Sequence, residues 1–389
     1  MSLIFFWTAV GLLIYAFVLF PALIILRGLL FRKPDRRAES TPSVSVIVAA
    51  YNEEENIEAK IKNILSLDYP RQKLEVLIAS DGSTDGTDEI VRSYDKQGIN
   101  LLSLPRHGKL ATLNDAVSAA HGDILVFSDA NNIFAPDAIR ALVSPFADPN
   151  VGGVAGNQTY LTEGRGSVSG DGERSYWSFD QMLKHFQGEA GNVTSATGSI
   201  YAIRRSLFCN VVPGVPDDFF ISTNVIAQGF RLVFAKDAVC YESVAESSDR
   251  EFTRKVRIIT QGLYAVLVMR RLLNPFRHGF YAVQFFSHKL LRRLMFLPLI
   301  MLLLVNPFLW NHGLFYQLIM LAQIGFYGLA LLGLFFDGKL SGKIKILAIP
   351  FYFCMTYLAS LLATLNLLRG HRISLWETQR RESIGISKV

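Results

Sequence analysis

The chain has 389 residues, half of them hydrophobic, and a mean hydropathy of +0.28, which excludes an ordinary soluble globular protein. The formal net charge of +6 comes from basic residues beside the apolar segments, a distribution that favours a membrane surface over nucleic acid as partner. Cys209, Cys240 and Cys354 are odd in number and far apart, and no His-x-x-x-His spacing occurs, so neither a disulfide framework nor a zinc site is expected.

Residues 3–26 are almost free of charge, and a bilayer core of about 30 Å needs roughly 20 apolar residues as helix. No Lys or Arg precedes this run; Arg27, Arg32, Lys33, Arg36 and Arg37 follow it. That pattern predicts an uncleaved anchor with its C-terminal side in the cytoplasm. Residues 1–39 therefore read as anchor and basic linker, and residues 40–275 as a cytoplasmic domain.

The domain opens with Ser-Val-Ser-Val-Ile-Val-Ala-Ala at 43–50, a β-branched apolar run that predicts a strand buried on both faces. Helical spacing of Ile57, Ile61, Ile64 and Leu65 follows over 52–67. Strands are expected at 74–79, 99–104 and 123–128, with helices at 85–94 and 110–120 between them. Alternating strand and helix predicts an α/β fold with a parallel, doubly wound sheet. Ligands in such sheets bind beyond the carboxyl ends of the strands. Asn52 and Glu53, Asp81, and Asp129 with Asn131 each follow a strand, so one rim should carry them all. Residues 164–172, rich in Gly, Ser and charge, read as a surface loop.

Several of these residues carry chemistry as well as structure. Asn52, Glu54 and Glu55 suit a helix start, whereas Glu53 suits the two hydroxyls of a ribose. Asp81 lies in Ser-Asp-Gly-Ser-Thr-Asp-Gly-Thr, which serves either as a turn and cap or as a base or ribose contact. Lys109 precedes a helix, against the dipole preference, a cost that an anionic ligand would explain. Asp129 and Asn131, two apart at a strand end, can hold a hard divalent cation against a diphosphate. Asn131 offers an oxygen but no charge, so the ion is expected to be held weakly.

Asp217 and Asp218 precede an apolar helical stretch at 219–226. They read as helix N-terminal acids or as a general base beside that cation, with Asp218 the choice for base. Arg257, in Arg254-Lys255-Val256-Arg257, reads either as a lipid headgroup contact or as a fork for a diphosphate leaving group. Residues 276–389 then predict an interfacial helix at 276–293 and about three further apolar segments, 294–310, 314–336 and 344–368. The segment 294–310 is short and interrupted by Pro298 and Pro307. Four spans would put the basic end, 369–381, outside, in conflict with the positive-inside rule.

In order and spacing this set resembles the family 2 glycosyltransferases, in the membrane-bound branch that includes cellulose, hyaluronan and poly-N-acetylglucosamine synthases. The resemblance covers roughly residues 40–270. It rests on the Val-Ser-Val-Ile-Val-Ala-Ala-Tyr-Asn-Glu-Glu opening, the Asp-Gly-Ser-Thr-Asp-Gly-Thr turn, and Gly108-Lys109 with Leu113-Asn114. It also rests on Asp129-Ala130-Asn131, Gly198 with Arg204-Arg205, and Pro216-Asp217-Asp218. It implies a GT-A fold and an inverting reaction. Glu53, Asp81 and Lys109 would hold the nucleotide, Asp129 the diphosphate and Mg2+ or Mn2+, and Asp218 would be the base.

Three positions depart from the family pattern. Asp-x-Asp becomes Asp129-x-Asn131; Thr-Glu-Asp becomes Pro216-Asp217-Asp218; and Gln-x-x-Arg-Trp survives only as Arg257. Loss of that Trp puts processive synthesis in doubt and leaves a single transfer equally open.

The expectation is a multi-pass enzyme of the inner or plasma membrane. It would move a UDP-linked hexose or N-acetylhexosamine to a glycan or lipid-linked acceptor in polysaccharide biosynthesis. Transfer onto a polyprenyl phosphate is the nearest alternative. A non-catalytic sugar-nucleotide-binding subunit is motivated by Asn131. A transporter is disfavoured because the long apolar segments carry almost no charge.

Overall fold

The computed structural model describes residues 1–160, 168–242, 248–336 and 345–370. They fall into two compact units. One comprises residues 28–160 and 184–242; the other comprises residues 1–27, 168–183, 248–336 and 345–370.

The first unit is built on an eight-stranded sheet. Its strands are β1 (Val44–Ala50), β2 (Leu74–Asp81), β3 (Ile99–Leu104), β4 (Ile124–Asp129), β5 (Ile133–Phe134), β6 (Val151–Tyr160), β7 (Tyr201–Arg204) and β8 (Arg231–Glu242). The order across the sheet is β3-β2-β1-β4-β7-β6-β8-β5. The first four strands pair in parallel. β7 runs antiparallel to both β4 and β6, β8 is parallel to β6, and β5 is antiparallel to β8. The α/β architecture expected from the alternating pattern is thus present, with a mixed second half.

Every residue of β1 is buried, as its unbroken apolar run requires. The helix Glu54–Leu65 buries Ile57, Ile61 and Ile64 in one core cluster with Val46, Val48 and Ile78 of the sheet. Each such side chain contributes about 2 kcal/mol when fully buried. β2 and β3 lie on one side of β1 and β4 on the other, so the chain reverses direction across the sheet between β1 and β4. A crevice opens at such a switch point beyond the carboxyl ends of the strands. There Ala49 pairs with Asp129.

The second unit holds the apolar helices. Among the described residues, three are long and apolar enough to cross a membrane: Ser2–Leu30, Leu314–Phe335 and Ile346–Leu368. Two further helical segments, Phe280–Leu294 and Phe296–His312, are bent by 46° at the break between them. Length and composition make this a membrane-associated chain.

Trp7 stacks on Phe315, Phe6 meets Tyr316 edge-on, and Phe353 lies against Phe326 and Tyr357. Close helix approach uses a small residue, as membrane packing favours: a Cβ at Gly333 would sit 2.8 Å from Phe351 Cβ. Leu318, Leu321, Ile324, Leu331 and Leu334 point outward, as lipid-facing side chains do.

Two expectations change. Residues 168–172 open the helix Val168–Glu189 rather than a loop; the rest of that expected loop, 164–167, lies outside the described residues. The expected interfacial helix at 276–293 is divided into a short turn, Pro275–His278, and the helical segment Phe280–Leu294. Gly279, at φ 55°, separates the two. Most of the basic end, from residue 371 onward, lies outside the described residues.

Candidate active site at the strand ends

The turn after β1 is braced by the turn after β2. Asn52 adopts a left-handed backbone, φ 53°, uncommon outside glycine but tolerated by Asn. Its side-chain oxygen accepts from the Thr84 backbone N–H at 2.9 Å, and its own N–H donates to Ser83 Oγ at 3.1 Å. Asn52 therefore ties two loops together, and Glu53 takes the helix N-cap position. Glu54 accepts from the Gly86 N–H at 3.1 Å, a structural role. Glu53 accepts from Asn56 Nδ2 at 2.9 Å. Burial, opposed by that hydrogen bond and reinforced by the charges of Asp129 and Asp85, pushes its carboxyl up to about 7.

Asp81, at the end of β2, is fully buried. Its carboxylate accepts from the backbone N–H of His107 at 2.8 Å and of Gly108 at 2.9 Å, and pairs with the Arg106 guanidinium. That guanidinium lies 3.5 Å above the centre of the Tyr51 ring, a stacking arrangement that Arg favours. Gly82 has φ +67°, and a Cβ there would lie 2.8 Å from Arg106 N, so the two loops touch backbone to backbone. Asp81 thus anchors the 106–108 loop, with the exposed Arg106 stacked on the half-buried Tyr51 beside it.

Lys109 opens the helix Lys109–Ala119. Its ammonium lies 2.9 Å from Asp129 Oδ1 and 3.5 Å from Asp217 Oδ1. Burial lowers its pKa, but Asp129 and Asp217 together outweigh this and the net shift is upward. These carboxylates offset the cost of a cation at a helix N-terminus.

Asp217 and Asp218 are the first residues of the helix Asp217–Ala227, after Pro216 at the cap. Asp218 Oδ1 accepts from the Phe219 N–H at 2.7 Å. Gly198 joins this pair to Asp129: a Cβ at Gly198 would lie 3.5 Å from Asp129 Oδ2 and 4.0 Å from the Asp218 Cβ. On either side of Gly198, Thr197 Oγ1 and Tyr201 OH are buried with no hydrogen-bond partner. Burial, then the charges of Asp217, Asp218 and Asp129, hold the Tyr201 phenol well above its usual range. Two orphaned buried hydroxyls cost about 1–3 kcal/mol each, which a polar ligand would recover.

The sheet thus brings Glu53, Lys109, Asp129, Asp217 and Asp218 together, with Asp81 one layer behind. Asn131 is half-buried in the turn that follows Asp129. Arg257 lies on the helix Ser248–Val268, in the other unit.

Asp129 and Asn131 offer one carboxylate and one amide oxygen. Among the described residues no group of three or more His, Cys, Asp or Glu side chains is arranged to hold a metal. Such a sparse set suits a hard cation that takes its remaining ligands from phosphate and water.

Sequence reasoning missed Tyr51, Arg106, Tyr201 and Lys60. Only Lys60 carried a legible signal, a lysine three residues from Ile57 and four from Ile64 on the buried stripe.

Residues 45–211 match the family model described as glycosyl transferase family 2. Over that segment, less than half of its length, the chain is similar to family 2 glycosyltransferases. It is 28% identical over 251 residues to the poly-beta-1,6-N-acetyl-D-glucosamine synthase of Staphylococcus aureus strain COL, covering 62% of this chain and 60% of that one. With the Staphylococcus epidermidis enzyme of the same name it shares 26% over 250 residues, covering 62% and 59%. The match therefore spans about 60% of the length of these curated relatives.

Among solved structures, a mannosyltransferase from Pyrobaculum calidifontis, in complex with GDP-Man and Mn2+, superposes with a TM-score of 0.70 at 24% identity. It covers 94% of this chain and 99% of its own. That likeness shows the GT-A fold. The family segment ends at residue 211, before Asp217 and Asp218, which reach the site through the helix that follows.

Proposed function

We propose that this chain is a family 2 glycosyltransferase, an inverting membrane enzyme. It would transfer a sugar from a nucleotide donor, a UDP-linked hexose or N-acetylhexosamine, to a glycan or lipid-linked acceptor in polysaccharide biosynthesis. The carrying observation is the convergence of Lys109, Asp129, Asp217 and Asp218 around Gly198 at the sheet's switch point. The named activity of the staphylococcal relatives supports a UDP-linked N-acetylhexosamine and a polysaccharide acceptor.

In this reading Glu53 accepts the ribose hydroxyls, which requires its ionised form. Asp81 acts through the loop it anchors, presenting Arg106 and Tyr51 to the nucleobase. Lys109 leaves its two carboxylates partly or wholly for the diphosphate. Asp129 and Asn131 would hold Mg2+ or Mn2+, which neutralises charge developing on the diphosphate when bound. The Mn2+ in the Pyrobaculum calidifontis complex supports that assignment. Asp218 removes the proton from the acceptor hydroxyl as the bond to the anomeric carbon forms on the face opposite the leaving group. Asp217 keeps Lys109 in place.

The basic residues after the first apolar helix support a cytoplasmic site. Membranes containing the chain, incubated with radiolabelled sugar nucleotides including UDP-N-acetylglucosamine and GDP-mannose, should label one product. Labelling must be lost in Asp218→Asn while UDP binding persists. Full transfer by Asp218→Asn would overturn the base assignment and favour an acceptor already ionised, such as a polyprenyl phosphate.

A further inference from the structure

Beneath the acidic turn lies a lysine that nothing in the reading above uses. Lys60, on the helix Glu54–Leu65, is fully buried. Its ammonium donates to Ser128 Oγ at 2.7 Å, to Asn132 Oδ1 at 2.7 Å and to the Asn132 carbonyl at 3.1 Å. It also sits 4.0 Å from the centre of the Phe134 ring. Ser128 and Asn132 are the residues on either side of Asp129-Ala130-Asn131. Asn132 Nδ2 in turn donates to the Ser199 carbonyl at 3.0 Å, next to Gly198, the wall shared by Asp129 and Asp218.

We propose that Lys60 is a positioning residue, whose buried amine clamps both ends of the Asp129–Asn131 turn and, through Asn132 and Ser199, sets that turn against Asp218. The proposal rests on the glycosyltransferase reading of the site.

A purely structural demand argues for a different residue. Position 60 lies on the stripe of Ile57, Ile61 and Ile64, where an apolar side chain of the same length packs without desolvating a charge. Burying an ammonium costs several kcal/mol unless its hydrogen bonds are excellent. Burial brings this amine down to about 7 even though the neighbouring Cys240 thiol and Asp129 oppose the shift. What the lysine adds over an apolar residue is three directed bonds to the frame of the acidic turn. That turn needs support, because Asn131 supplies no second carboxylate.

Groups that orient a metal-binding carboxylate are worth about 10–100-fold in metal affinity or activity. A displacement of about 1 Å at the reacting groups costs about 100-fold.

The test uses the full-length chain in detergent with UDP and Mn2+ as probes. UDP affinity is read by calorimetry, Mn2+ held in the presence of UDP by electron paramagnetic resonance, and turnover as UDP release from the donor that the wild type uses. Lys60→Met should melt at or above the wild-type temperature and keep UDP affinity within about threefold. It should hold Mn2+ about tenfold more weakly and turn over about 100-fold more slowly.

Ser128→Ala removes one of the amine's partners and keeps the charge. It should show the same pattern at about fivefold, with little further loss when combined with Lys60→Met. Wild-type Mn2+ affinity and turnover in a folded Lys60→Met would overturn the proposal, as would a parallel loss of UDP and Mn2+ binding. Should Lys60→Met not fold, an unaffected Ser128→Ala overturns it equally. A wild type that binds no UDP removes the reading of the site and this proposal with it, a result distinct from intact wild-type binding with an indifferent Lys60→Met.

Discussion

Strands β3, β2, β1 and β4 run parallel, so their carboxyl ends share a rim, and Glu53, Asp81 and Asp129 arrive there by strand order alone. The other half of the sheet mixes directions, and its contribution arrives by a different route. β7 is antiparallel to β4, with Tyr201 opposite Phe127, so the start of β7 lies at the end of β4. Gly198, just before β7, is therefore carried to the rim from 69 positions further along the chain than Asp129. Asp217 and Asp218 come with it on the next helix. The parallel half supplies groups suited to binding, and the mixed half supplies the candidate base. One candidate site thus draws on two kinds of strand order, only one of which follows from alternating β and α patterns.

This division of labour can be broken at its strongest point first. Asp218→Asn, in the mixed half, should lower kcat by about 1,000-fold while calorimetry finds UDP affinity unchanged. Equal losses in both quantities would erase the distinction between the halves.

Lys109→Ala, in the parallel half, should lower kcat/KM by about 100-fold and weaken UDP itself, since the ammonium is assigned to the diphosphate. A change confined to kcat would move Lys109 to the catalytic side.

Glu53 sharpens the comparison through pH. Its carboxyl sits at about 7 in the fold against an ordinary 4.5. Ribose binding by the ionised form should therefore weaken about tenfold from pH 8 to pH 6, and Glu53→Gln should lack that dependence. The folded state binds this proton more tightly than the unfolded chain. The ionised group therefore costs stability that grows as pH rises from about 4.5 to about 7 and is complete above it. Glu53→Gln should accordingly melt about 3 °C higher at pH 8 and no higher at pH 4.

The smallest effect is expected at the seam. At Gly198 a Cβ meets Asp129 and Asp218 at ordinary contact distances, so Gly198→Ala should keep its melting temperature within about 2 °C. Steady-state kinetics should find turnover a few-fold lower.

Much of this architecture was legible in the residues. The unbroken apolar run at 44–50, the spacing of Ile57, Ile61 and Ile64, and the placement of an acid after each of three strands follow from burial and periodicity, which are local. Asn52 shows where local reasoning stops. It has the chemistry of a helix cap, yet it bridges to Ser83 and Thr84, because the β2 turn is 31 residues away in sequence and adjacent in space. Lys109 shows the same limit from the other side. Its unfavourable place at a helix start signalled an anion, but only the folded chain reveals that Asp129 and Asp217 already serve as one.

By itself, the sequence determined the element order, the parallel rim with Glu53, Asp81 and Asp129, the apolar helices and the resemblance to family 2 glycosyltransferases. These properties depend on side-chain type and spacing within one element or between successive ones. The tertiary structure decided that Gly198 brings Asp218 to Asp129, that Asp81 is spent on the 106–108 loop, and that the acidic turn stands on a buried Lys60. Each of those depends on which strand lies beside which and in which direction. That choice is made by the packing of the whole sheet, and no local pattern in the chain encodes it.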